Sequence, residues 1–121
     1  MVQATDHSAE LALNVSELLS RMDNDRELLR ELLQLFKQEC PCLMRLLQDA
    51  ISKGEMKSVE TTGHALKGML ANLSAVRAAS AASRLEELGR TGKNSELKGA
   101  LAALESEVAV LLPEVDACLE R

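Results

Sequence analysis

The chain of 121 residues has a net charge of −5, with 46% hydrophobic and 27% charged residues, the size and balance of one globular domain with one core. Its aromatic content is 1%, a single Phe with no Trp or Tyr, so Leu and Ala must fill the interior, which excludes a β-sandwich, a small barrel and a base-stacking platform for single-stranded nucleic acid. The excess of acid argues against binding any phosphate backbone, which depends on Lys and Arg.

Residues 1–12, His7 among them, show no sustained apolar period and read as a loosely ordered lead-in, with the folded domain expected over residues 13–121. The polar and acidic N-terminus lacks the apolar region of a signal peptide, and no apolar run approaches the ~18 residues of a membrane span. A cytoplasmic protein without membrane contact is expected. A short helix fits Val15 to Met22, capped by Asn14 or Ser16, with Leu18 and Leu19 as its contacts. Asp23, Asn24 and Asp25 interrupt it and suit the cap of the next.

In the second helix Leu28, Leu32, Phe36, Cys40, Leu43, Leu47 and Ala50 recur at steps of four and three, a core stripe. Pro41 predicts a kink, but the stripe keeps its phase across it, so one continuous helix is expected, ending near Ser52 with Gly54 as its left-handed stop. Cys40, Cys42 and Cys118 lack the spacing of a ligand pair and read as small buried hydrophobes.

The third helix is predicted from Met56 to Leu73, and the fourth from Val76 to Leu88, closed by Gly89. Ala78, Ala79, Ala81 and Ala82 let the fourth approach a neighbour closely. Arg90 to Asn94 reads as a loop around Gly92. The last helix, Ser95 to Leu119, carries a seam of Leu97, Leu101, Leu104, Val108, Leu111 and Val115, with a bend expected at Pro113. These features predict an all-α fold, an antiparallel four-helix bundle with a short extra N-terminal helix.

On a wheel of about 100° per residue, Val59, Gly63, Leu66, Leu70 and Leu73 share one buried face of the third helix, while His64 falls about 140° away. Gly68, one turn after His64, costs ~1 kcal/mol relative to Ala in a helix interior, which local stability does not explain. Its missing side chain clears one flank of the imidazole, and Ala71 extends the cleared track. Lys67 leans back toward His64, because helical side chains point toward the N-terminus. A cation beside a cleared imidazole makes a site for an anion. Glu60, one turn earlier, is a candidate to accept the other ring N–H and fix the tautomer, against the plainer reading of a solvated surface glutamate.

The run His64-Ala65-Leu66-Lys67-Gly68, then Ala71-Asn72-Leu73-Ser74-Ala75 and later Leu85-Glu86, resembles the signature of histidine-containing phosphotransfer (HPt) domains of two-component phosphorelays. The resemblance extends from about Asn14 onward. It implies that His64 is the phosphoacceptor, that Lys67 supports the phosphoryl group, and that Gly68 gives the partner room. It further implies response-regulator receiver domains and a hybrid sensor histidine kinase as partners, with Mg²⁺ brought by the receiver. Ser74 departs from the Gly usual in the family, from which a change in turn geometry is expected.

The chain has no glycine-rich phosphate loop, so a phosphocarrier without its own ATP site is expected, and a monomer. The docking patch is expected around His64 and on outward residues of the second helix, for which Leu29, Leu33 and Leu46 are candidates. Two other classes compete. A non-catalytic helical adaptor or dimerisation module would continue the apolar seams between chains. A metal enzyme would use Glu60 and His64, but a catalytic zinc needs about three protein ligands and no second histidine is near in sequence, so no metal site is expected.

Overall fold

The computed structural model describes residues 12–120. Among them are five α-helices, one 3₁₀ turn and no strand: α1 (Val15–Arg21), α2 (Arg26–Lys53), α3 (Met56–Asn72), α4 (Val76–Thr91), the 3₁₀ turn Asn94–Glu96, and α5 (Leu97–Leu119). Helix α2 packs on α3 and α5, and α4 packs on the same two, so the four long helices close a ring around one core. This is the expected four-helix bundle with α1 as its short addition. Phe36, Leu47, Leu66, Leu85 and Leu104 are among the fully buried side chains at its centre.

The helix starts and stops follow from local chemistry. Asn14 Oδ1 accepts the Glu17 N–H at 3.0 Å, and Asp25 Oδ1 accepts the Leu28 N–H at 3.0 Å, each satisfying an orphan donor of a first turn. Between them Asp23 and Asn24 take left-handed φ of 55° and 60°, which short polar side chains tolerate. Gly54, at φ 69°, ends α2 as expected. Helix α2 runs unbroken through Pro41.

Several expectations need correction. In α2 the buried residues are Leu29, Leu33, Phe36, Cys40, Met44, Leu47 and Ala50. Leu28 is exposed, and Leu32 and Leu43 are half-buried, so the stripe lies one residue later than predicted at those turns. Leu29 and Leu33 are therefore core, not docking surface. Gly89 does not close α4, which continues to Thr91 and stops at Gly92, φ 73°. The loop after it is shorter than predicted because α4 takes in Arg90 and Thr91 and a 3₁₀ turn begins at Asn94. Cys40 is buried, and desolvation pushes its thiol up to about 11. Cys42 is exposed, with Arg45 Nη2 3.6 Å from its sulfur.

Of the lead-in, residues 1–11 and His7 with them lie outside the described residues. Ala12 is buried, and its N–H and that of Leu13 donate to the Glu114 carboxylate at 3.3 and 2.7 Å. These bonds tie the entry of α1 to the far end of α5.

The most extensive helix pair is α3 with α4, and glycine makes it so. A Cβ on Gly63 would lie 2.9 Å from the Glu86 amide N, and one on Gly89 would lie 2.6 Å from the Glu60 amide N. Both distances are far below ordinary contact, so only glycine lets the two backbones meet at this separation.

Candidate functional site

Helix α3 buries Val59, Gly63, Leu66 and Leu70 and turns His64 outward, with 68% of its side chain exposed. The ring Nδ1 is 2.8 Å from Oε2 of Glu86 on α4. The other oxygen, Oε1, is 2.7 Å from Lys67 Nζ. An ionised carboxylate only accepts hydrogen bonds, so Nδ1 carries the proton and donates it. In the neutral ring the lone pair then sits on Nε2, the nitrogen a substrate can reach.

Glu86 is held in its charged form. The Lys67 hydrogen bond, followed by that from His64, keeps its carboxyl below the usual carboxylate range, against a smaller opposing effect of desolvation. Lys67 does lean toward His64 as predicted, but the two meet on a shared carboxylate. The partner of His64 Nδ1 is Glu86 and not Glu60, the residue considered for that contact. Glu60 Oε1 pairs with Lys57 Nζ at 3.6 Å, and its backbone lies against Gly89. Glu86 is 22 residues from His64 in sequence, so no helical spacing relates them, and Leu85-Glu86 was visible only as part of the family resemblance.

Gly68 is exposed, and a Cβ built on it would meet nothing within 4 Å. Its glycine therefore answers no crowding among the described residues and leaves open space beside the ring. Ala71 is also exposed and lines, with Lys67, Ser74, Val76 and Ala79, a groove of about 370 Å³ between α3 and α4 that Glu17 and Arg21 of α1 rim.

Ser74 sits in the turn that follows α3, its N–H donating to the Ala71 carbonyl at 2.9 Å. It takes φ 56°, the left-handed conformation that glycine adopts freely. Its hydroxyl meets Arg21 Nη1 at 2.6 Å, and the same nitrogen lies 3.4 Å from the Ala71 carbonyl oxygen. Arg21 thus caps the end of the histidine helix.

On the other flank, α2 and α3 enclose a groove of about 280 Å³ lined by Leu32, Leu35, Phe36, Glu39, Met69, Asn72 and Leu73. The outward apolar residues of α2 are Leu28, Leu35 and Leu46, so of the three docking candidates only Leu46 faces out.

Among the described residues no group of three or more His, Cys, Asp and Glu side chains is arranged to hold a metal ion, and no helix is long and apolar enough to cross a membrane. A family model described as "Hpt domain" matches residues 31–121. A search of curated proteins and a search of solved structures each found no match.

Proposed function

The chain belongs to the Hpt domain family, and from that premise we propose that His64 accepts a phosphoryl group from an aspartyl phosphate on one receiver domain and passes it to an aspartate on another. Hpt domains are phosphocarriers of two-component phosphorelays, acting with receiver domains and histidine kinases. The observation that carries the assignment to His64 is its exposed ring, with Nδ1 held by Glu86 and Nε2 without a partner among the described residues.

In the first step the Nε2 lone pair forms a bond to phosphorus as the P–O bond to the donor aspartate breaks, and that carboxylate leaves with the electron pair. The proton stays on Nδ1, so the phosphorylated ring is cationic and faces the Glu86 carboxylate, which stabilises the charge as it develops. In the second step the acceptor carboxylate attacks phosphorus, the N–P bond breaks, and its electron pair returns to Nε2. No proton need enter or leave the ring in either direction. Lys67, three residues on along the same face, is placed to neutralise phosphoryl oxygens. The Mg²⁺ that such transfer uses is assigned to the receiver, where it would neutralise charge on the same oxygens.

The receiver is proposed to dock over the opening at Gly68. The two grooves beside α3 would take its apolar contacts, with Val76 on one flank and Leu35 on the other. One domain would serve both partners in turn, and a monomer suffices.

Incubation with a phosphorylated receiver tests the assignment. Label that is acid-labile and alkali-stable should appear on the wild type and be absent from His64→Gln. Label persisting in that variant overturns it.

A further inference from the structure

Two short sequences, Glu60-Thr61-Thr62-Gly63 in α3 and Glu86-Glu87-Leu88-Gly89 in α4, face each other in a reciprocal arrangement. Gly63 lies against the backbone of Glu86, and Gly89 lies against the backbone of Glu60. Each helix thus supplies the glycine on which the other helix's glutamate rests. The consequence is functional at one of the two contacts only. Gly63 directly precedes His64, and Glu86 is the residue that binds the His64 ring.

We propose that Gly63 is a positioning residue for phosphoryl transfer: its missing side chain sets the α3–α4 separation at which Glu86 reaches His64 Nδ1 and Lys67 Nζ together. This rests on the reading of His64 as phosphoacceptor. A Cβ on Gly63 would meet the Glu86 N at 2.9 Å, the Glu86 Cα at 3.1 Å and the Ala82 O at 3.3 Å. All three are backbone atoms of α4, and none can rotate away. Restoring ordinary contact would part the helices by roughly half an ångström at this point. The two carboxylate oxygens of Glu86 are engaged with two different residues of α3 at 2.8 and 2.7 Å, so a shift of the Glu86 backbone falls on both contacts at once. A displacement of that size takes the Nδ1 contact to the edge of the hydrogen-bonding range. The ring then loses the acceptor that holds the proton on Nδ1, and with it the fixed lone pair on Nε2.

The experiment compares wild type, Gly63→Ala and Glu86→Asp in the full chain. Glu86→Asp shortens the reach by one methylene without touching the helix contact. Two readouts are taken: the imidazole ¹⁵N shifts of His64, which report the tautomer, and the kcat and KM for phosphoryl transfer from a phosphorylated receiver. Both variants should lose the Nδ1–H preference and fall about tenfold or more in kcat with KM unchanged, since small misplacements of reacting groups carry penalties of that order. A folded Gly63→Ala that keeps the wild-type tautomer and kcat overturns the proposal. If Gly63→Ala fails to fold, Glu86→Asp decides: wild-type tautomer and kcat there overturn it equally. Failure of the underlying reading is separate, since it would show as label persisting in His64→Gln.

Discussion

Glu86 accepts the Nδ1–H of His64 at 2.8 Å across the α3–α4 interface, and it does so from a backbone position that lies against the residue just before the histidine. The same carboxylate anchors Lys67, so one side chain orients both the ring and the cation beside it. Replacing it should damage both. Glu86→Ala is expected to lower the rate of His64 phosphorylation on the order of tenfold to a hundredfold, the range that loss of orientation produces, with the helical circular dichroism retained. A wild-type rate would show that the ring needs no fixed tautomer.

The depressed pKa of Glu86 makes its interactions pH-dependent. A carboxyl whose folded pKa lies below its unfolded value stabilises the fold fully above the unfolded pKa, near 4.3 for Glu. That contribution is lost as pH falls through the folded value. The thermal midpoints of wild type and Glu86→Gln should therefore differ at pH 6 and converge as the pH is taken below about 4. Curves that stay parallel down to pH 3 would mean that Glu86 does not gain its charge stabilisation from Lys67 and His64.

Lys67 is an ion-pair partner at 36% exposure, and pairs so placed contribute ~0–1 kcal/mol. Lys67→Ala should accordingly shift the thermal midpoint by no more than a few degrees. Its effect belongs to the chemistry: slower transfer and a shorter-lived phosphohistidine, read from the decay of labelled protein. A midpoint lowered by many degrees would assign Lys67 to the fold instead.

The bundle, its helix order and the outward histidine are legible in the sequence because each long helix carries one apolar period and His64 falls off it. The misreading in α2 has a physical source. Leu28-Leu29, Leu32-Leu33, Leu43-Met44 and Leu46-Leu47 are adjacent apolar pairs, so two stripes about 100° apart satisfy the same period. Only packing selects the one containing Leu29, Leu33 and Met44. Gly89 follows a periodic leucine as a stop would, yet it serves a backbone contact with Glu60, and contacts between helices leave no mark on local periodicity. Glu86 escaped for the same reason.

The glycines predict opposite responses to one substitution. Ala in place of a helical glycine ordinarily stabilises by ~1 kcal/mol. Gly68 and Gly99 face open space, so Gly68→Ala should gain stability of about that size and Gly99→Ala, in the first turn of α5, a smaller amount, but Gly68→Ala should also slow transfer by intruding where the receiver is proposed to dock, while Gly99→Ala leaves it unchanged. Gly89→Ala should instead lose about 1–3 kcal/mol, because its Cβ would strike the Glu60 and Met56 backbone. Denaturant midpoints and transfer rates on the three variants check the set. A stabilised Gly89→Ala would contradict the close helix contact.

Ser74 allows the left-handed turn and the Arg21 cap to be separated. Its φ of 56° costs a non-glycine residue about 1–2 kcal/mol, while the hydrogen bond from Arg21 at 2.6 Å returns about 0.5–1.5 kcal/mol. Ser74→Ala keeps the strain and removes the bond, so it should destabilise by about 1 kcal/mol. Ser74→Gly removes both, so it should lie close to wild type. In an Arg21→Ala background the bond is already absent, and Ser74→Gly should then stabilise by the full cost of the strained backbone, about 1–2 kcal/mol. Chemical denaturation of the four variants closes this cycle, and equal effects of Ser74→Gly in both backgrounds would show that Arg21 and Ser74 do not interact.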